Sequence, residues 1–136
     1  MNKMIFVNLP VADLEKSVSF YEALGFTKNP AFSDETAAAM VWSETINVML
    51  LTHNKWNSFT TRPIPSAGSS QVMLALSLDT KDQVDTMNDA AAAHGGAADI
   101  NPTQDHGFMY GRDLADPDGH VWGPFWMDAA AMPLSE

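Results

Sequence analysis

Two helix-forming segments, each preceded by a short apolar run and closed by glycine, divide this chain into halves with the same order of elements. That repetition constrains the fold more than any other feature. In the first half, the apolar run Met4 to Leu9 reads as a strand ending at Pro10, and Asp13 then opens a helix over 14–24. Asp13 is of the type that caps a first turn, Leu14, Val18, Tyr21 and Leu24 recur at helical spacing, and Gly25 supplies the left-handed residue that ends the segment. Strands are expected over 26–29, 37–43 and 46–52, with turns at 33–35 and 43–45. The first half is therefore β-α-β-β-β.

Residues 53–70 hold Pro63, Pro65, Gly68 and several serines without sustained periodicity, so they read as a connection with one helical turn around Trp56. The second half then restarts with a strand over 71–78 and a helix over 81–94, about one turn longer than its counterpart and closed by Gly95 and Gly96. Val84, Met87 and Ala91 form its apolar face. Strands over 97–100, 107–114 and 120–127 follow, the last two joined by the turn Asp116-Pro117-Asp118-Gly119. Pro124 lacks an N–H, which predicts that the last strand is an edge or is bulged there. The expected organisation is one domain, 1–136: module one to about residue 53, a connection over 54–70, module two over 71–128 and a tail over 129–136 with no assigned role.

Composition narrows the partners. A formal charge of −10 repels phosphate backbones and anionic lipid surfaces, which disfavours nucleic acid and membrane partners and would suit a cationic ligand. The chain has no cysteine, which excludes disulfides, zinc–thiolate sites and thiol nucleophiles. The N-terminal apolar run is too short for a signal peptide, and no segment is long enough to span a bilayer, so a cytoplasmic protein is expected. His53, His94, His106 and His120 each fall at an element boundary, where a structural role outweighs a ligand role; His94 sits at a helix C-terminus, where imidazole complements the dipole.

Two segments carry a resemblance. Val11-Ala12-Asp13-Leu14, with Ser17, Phe20-Tyr21 and Leu24-Gly25-Phe26, resembles the opening of vicinal oxygen chelate proteins, and Asp116-Pro117-Asp118-Gly119-His120-Val121-Trp122 resembles their closing hairpin. The resemblance to this superfamily of glyoxalases, bleomycin resistance proteins and extradiol dioxygenases covers essentially the whole chain. It implies an α+β fold of two tandem βαβββ modules, whose curved mixed sheets surround a cavity, and a homodimer. It also implies that metal-dependent members hold a divalent ion with four side chains, usually His, Gln or Glu, one from the first and one from the fourth strand of each module. Carried over residue by residue, those positions fall on Phe6, Leu50, Met73 and Gly123. None supplies an oxygen or imidazole donor at the distance of about 2.0–2.6 Å that such cations need. The expectation is no metal and no cofactor.

Strand alternation then predicts the lining of the cavity. If Gly123 faces inward, so do Val121, Phe125 and Met127, while Trp122 and Trp126 lie beneath the helices. Pairing about the turn at 116–119 places Arg112 opposite Gly123, Tyr110 opposite Phe125 and Phe108 opposite Met127. The candidate ligand-binding residues are therefore Phe6, Asn8, Leu50, Met73, Phe108, Tyr110, Arg112 and Gly123, with Val48, Gln71 and Ser77 beside them. Arg112 is either free to engage an anionic or carbonyl ligand, or occupied by an acid such as Asp113 or Asp128, or turned to solvent. The expected function is sequestration or sensing of a small molecule without metal. The alternative is a lyase, isomerase or dioxygenase of the glyoxalase type with a divalent metal.

Overall fold

The computed structural model describes residues 2–131 of the 136. Its contacts separate two units, Met1–Ser69 and Ser70–Glu136. In the first, β1 (Ile5–Val11) leads into helix α1 (Leu14–Leu24), followed by β2 (Thr27–Asn29), a 3-10 turn (Pro30–Phe32), β3 (Ala37–Val41), β4 (Ile46–Thr52) and a second helix, α2 (His53–Phe59). The strands form one sheet in the order β1-β4-β3-β2, with β1 parallel to β4 and the other pairs antiparallel.

The ends of α1 are the expected ones. Asp13 Oδ1 accepts from Lys16 N at 3.1 Å, and Gly25, at φ 112°, lets the chain leave the helix through the left-handed region. The buried face is turned slightly from the one the spacing suggests: Ser17, Phe20, Tyr21 and Leu24 are buried, whereas Leu14 and Val18 are half-buried. Phe20, Tyr21, Phe26 and Trp42 form a chain of ring contacts, with centroids 4.9–5.3 Å apart, between the helix and the sheet. Val11, Ala38, Met40, Val48 and Leu50 complete that core.

The second unit repeats the plan. It contains β5 (Met73–Ser77), α3 (Lys81–Ala93), β6 (Gln104–Asp105), β7 (Met109–Gly111), β8 (Leu114–Ala115) and β9 (Val121–Met127), then a 3-10 turn at Ala129–Ala131. The sheet order β5-β9-β7-β6, with β5 parallel to β9, reproduces the order of the first sheet, and β8 also pairs with β9. These are two βαβββ modules, in an α+β fold. Thr80 and Gln83 form a reciprocal capping box at the start of α3, and Val84, Met87 and Ala91 are buried beneath it. Helix α3 is two residues longer than α1 (13 against 11), about half a turn rather than the full turn expected.

The segment between α3 and β9 departs from expectation. Residues 97–100 form no strand; Ala97 makes an isolated bridge to Ala115, and Asp99 takes a positive φ of 52°. The strand expected over 107–114 is split into β7 and β8, and the chain forms the short β6 instead at Gln104. The cause of the split lies across the ladder. Arg112 N donates to Pro124 O at 3.2 Å, but Pro124 has no N–H to return the second bond of that antiparallel pair. Strand β9 is accordingly central, not an edge, and it is its partner that breaks. Among the described residues, no helix is long and apolar enough to cross a membrane.

Candidate ligand-binding site

Each sheet has a helix-covered face and an open face, and the strand registers decide which residues stand on which. In the first unit, Phe6 pairs with Asn47 and Asn8 with Met49, while Ala39 and Val41 stand beside them on β3. These side chains share the open face. Phe6, half exposed, lines a hollow of about 490 Å³ with Met4, Phe32, Val41, Asn47 and Met49. Leu50 does not join them. It is fully buried, with Val48, on the helix-covered face, because it lies one residue out of step with Asn47 and Met49.

In the second unit, Met73 pairs with Val121 and Ala75 with Gly123, so Met73 and Gly123 do share a face. Met73 is largely exposed. A hollow of about 310 Å³ on that side is lined by Ala75, Gln104, Met109, Asp113, Phe125 and Met127, with Gly123 in its floor.

The hairpin register corrects three of the expected placements. Asp116 pairs with His120 rather than Gly119: Asp116 N donates to His120 O at 2.9 Å, leaving the three-residue loop Pro117-Asp118-Gly119, with Gly119 at φ 90°. Asp116 Oδ1 holds this loop by accepting from Asp118 N and His120 N, at 2.9 and 2.8 Å. Every pairing therefore shifts by one. Met109, not Phe108, faces Met127; Tyr110 faces Trp126; Gly111 faces Phe125; and Arg112 lies opposite Pro124. A shift of one moves a side chain to the other face. Tyr110 and Arg112 thus point toward α3 and not into the hollow, while Phe108 precedes β7, half exposed, its ring stacked 6.2 Å from His106.

Arg112 is fully engaged where it lies. Its Nε and Nη2 donate to Asp99 at 2.9 and 2.7 Å, Nη1 donates to Asp85 at 2.8 Å, and Nη2 also reaches Asp89 at 3.5 Å. Tyr110 Oη donates to Asp85 Oδ1 at 2.6 Å, and the buried Asn88 amide donates to Asp99 Oδ1 at 3.2 Å. The partners are neither Asp113 nor Asp128. Hydrogen bonds from Tyr110 and then Arg112 hold the Asp85 carboxyl below its ordinary range, and Arg112 does the same for Asp99. The same bond to Asp85 raises the Tyr110 phenol, and Arg112 is raised in turn, chiefly by Asp99. This network ties α3 to β7 and to the loop at 97–100.

Asp113 is the open-face residue that sequence reasoning missed. With the register corrected it stands opposite Gly123. A Cβ on Gly123 would come within 2.8 Å of Asp113 Oδ1, so glycine is what admits the carboxylate over that strand. Its Oδ2 accepts from Asn101 Nδ2 at 2.9 Å.

The model of the bleomycin resistance protein-like N-terminal family matches residues 3–43. Hypothetical protein SA1046 from S. aureus is 27% identical, with 93% of this chain and 95% of that one covered, at a TM-score of 0.76. A glyoxalase/bleomycin resistance protein/dioxygenase family enzyme from Burkholderia phytofirmans matches 93% of this chain and 99% of its own at 17% identity and a TM-score of 0.75. The chain shares the fold of these glyoxalase and bleomycin resistance proteins over nearly its whole length. The fosfomycin resistance protein FosX from Mesorhizobium loti, at 13% identity, has the same fold over 96% of both chains, with a TM-score of 0.66. No curated protein matches in sequence.

Metal-dependent members of the vicinal oxygen chelate superfamily would need donors on these open faces, and the residues present do not fit. Phe6, Met73 and Gly123 offer no oxygen or imidazole, and correcting Leu50 to its open-face neighbours brings in only Asn47 or Met49. Among the described residues, no group of three or more His, Cys, Asp or Glu is placed to hold a metal ion. Of the histidines, His53 opens α2, His94 caps α3 with its Nδ1 2.9 Å from Ala90 O, His106 stacks on Phe108, and His120 closes the hairpin opposite Asp116.

Proposed function

We propose that this protein binds a small amphipathic molecule on the open face of its second sheet without a metal ion, sequestering or sensing it, and that Asp113 is the polar handle. The observation that carries this reading is the carboxylate lying over Gly123. The hollow around it is otherwise built largely from Met109, Phe125, Met127, Pro102 and Ala75, the mixture of apolar wall and sparse polar groups typical of small-molecule sites. A carboxylate against apolar walls, on a chain of charge −10, favours an organic cation.

The test is a titration with 1-naphthylmethylammonium and its neutral analogue 1-naphthalenemethanol, followed by amide chemical shifts. The cation binds about five-fold more tightly, the worth of a partly exposed ion pair of ~1 kcal/mol, and Asp113→Asn abolishes the difference while retaining the Asn101 contact. Equal affinities in the wild type would refute the role of Asp113. Absence of any binding to residues 102–127 would refute the reading as a whole.

A further inference from the structure

The hollow of the first sheet contains a polar group with no counterpart. Asn47 is 7% exposed, and its Nδ2 has no hydrogen-bond partner. It stands on β4 between Phe6 on β1 and Val41 on β3, beneath the apolar side chains of Met4, Phe32 and Met49. Phe32 and Phe6 are 72% and 53% exposed, so aromatic surface frames the opening.

The other polar side chains of this hollow are committed to local structure. Asn29 Oδ1 accepts from Ala31 N at 3.1 Å. Ser33 Oγ donates to Asn29 O at 2.7 Å and accepts from Ala39 N at 3.0 Å. Asp34 Oδ1 accepts from Thr36 Oγ1 and Thr36 N, both at 2.7 Å. The hydrogen bond from the Thr36 side chain lowers the Asp34 pKa, keeping a negative charge at the rim. A buried amide donor left unpaired is costly, and an acceptor brought in by a ligand relieves that cost.

We infer that the first-sheet hollow is a second ligand subsite, in which Asn47 Nδ2 donates to the carbonyl oxygen of a neutral, largely apolar or aromatic molecule. Three features select this class. The donor requires an acceptor, the apolar and aromatic walls require an apolar body, and Asp34 with the overall negative charge opposes an anionic acceptor such as a carboxylate or phosphate. Asn47 is then a specificity-determining residue. The inference rests on the small-molecule-binding reading but concerns different residues, so the two stand or fall separately.

The experiment pairs 1-indanone with indane, which shares the bicyclic body but lacks the carbonyl. Titrated into uniformly 15N-labelled protein, 1-indanone shifts the Asn47 side-chain NH2 resonances and indane does not. In the wild type 1-indanone binds about five-fold more tightly than indane, the worth of one neutral hydrogen bond. Asn47→Leu, close in volume and free of polar atoms, removes the preference. Binding of 1-indanone with no movement of the Asn47 amide, or equal affinity of the two probes, overturns the inference while leaving binding at Asp113 intact. Failure of 1-indanone to perturb residues 4–49 also overturns it. The wild-type spectra decide the matter without the variant, should Asn47→Leu not fold.

Discussion

Replacing Arg112 by Met tests the corrected hairpin register through stability. The change keeps most of the aliphatic stem and removes only the guanidinium, whose side chain is 15% exposed and whose nitrogens reach three aspartates. Breaking a buried ion pair costs about 3–5 kcal/mol when a charge is stranded. Here the side chains of Asp85, Asp89 and Asp99 are 43%, 71% and 44% exposed, so water rehydrates them in part and the expected loss at pH 7 falls to about 2–3 kcal/mol. The pH dependence follows from the lowered carboxyls. Asp85 and Asp99 titrate below their unfolded value, so their contribution is fully present above an unfolded pKa of about 3.9 and fades as pH falls through the lower folded values. The gap between wild type and Arg112→Met should therefore be largest at neutral pH and shrink toward pH 3. Urea unfolding followed by the fluorescence of the four tryptophans measures it. A gap under about 0.5 kcal/mol at pH 7, the range of ordinary surface substitutions, would show that Arg112 does not lie where the shifted register puts it.

Other perturbations separate the two faces of the sheets. Leu50→Ala should cost about 2–5 kcal/mol because the side chain is fully buried against the helix, yet leave the 1-indanone preference unchanged, whereas Met49→Ala should cost less and weaken 1-indanone binding; chemical denaturation and the NMR titration read both. Gly25→Ala should cost about 1–2 kcal/mol by thermal unfolding, since φ 112° strains any side chain although Trp42, at 3.5 Å from the added Cβ, leaves room for it. Gly123→Ala should displace the Asp113 carboxylate and reduce selectivity for 1-naphthylmethylammonium, with little change in unfolding temperature because the obstructing atom is the end of a side chain.

Local signals were enough to place most of the elements. Asp13 and Gly25 mark α1 because a capping carboxylate and a left-handed glycine are requirements of the helix ends themselves. Strand β4 occupies 46–52 as its apolar run suggests. The site was less legible, because it depends on parity. Asp116 to Gly119 looks like a two-residue hairpin turn, but the Asp116 side chain accepts from two loop amides and stabilises a three-residue loop. That one extra residue carried Tyr110 and Arg112 to the helix side and brought Asp113 to the open side. The break between β7 and β8 has a signal in the sequence, Pro124, but its effect falls on the partner strand. Asp85 and Asp99 could not be matched to Arg112 from spacing, since α3 and the irregular loop at 97–100 meet the hairpin only through tertiary packing.

Metal-independent recognition is best tested by equilibrium dialysis of untagged protein against Mn²⁺, Ni²⁺ and Zn²⁺, followed by elemental analysis. Open faces that present Phe6, Asn47, Met73 and Gly123 should retain well under one ion per chain. Retention of one divalent ion per chain, with amide shifts centred on those strands, would contradict the account and favour a metal-dependent enzyme.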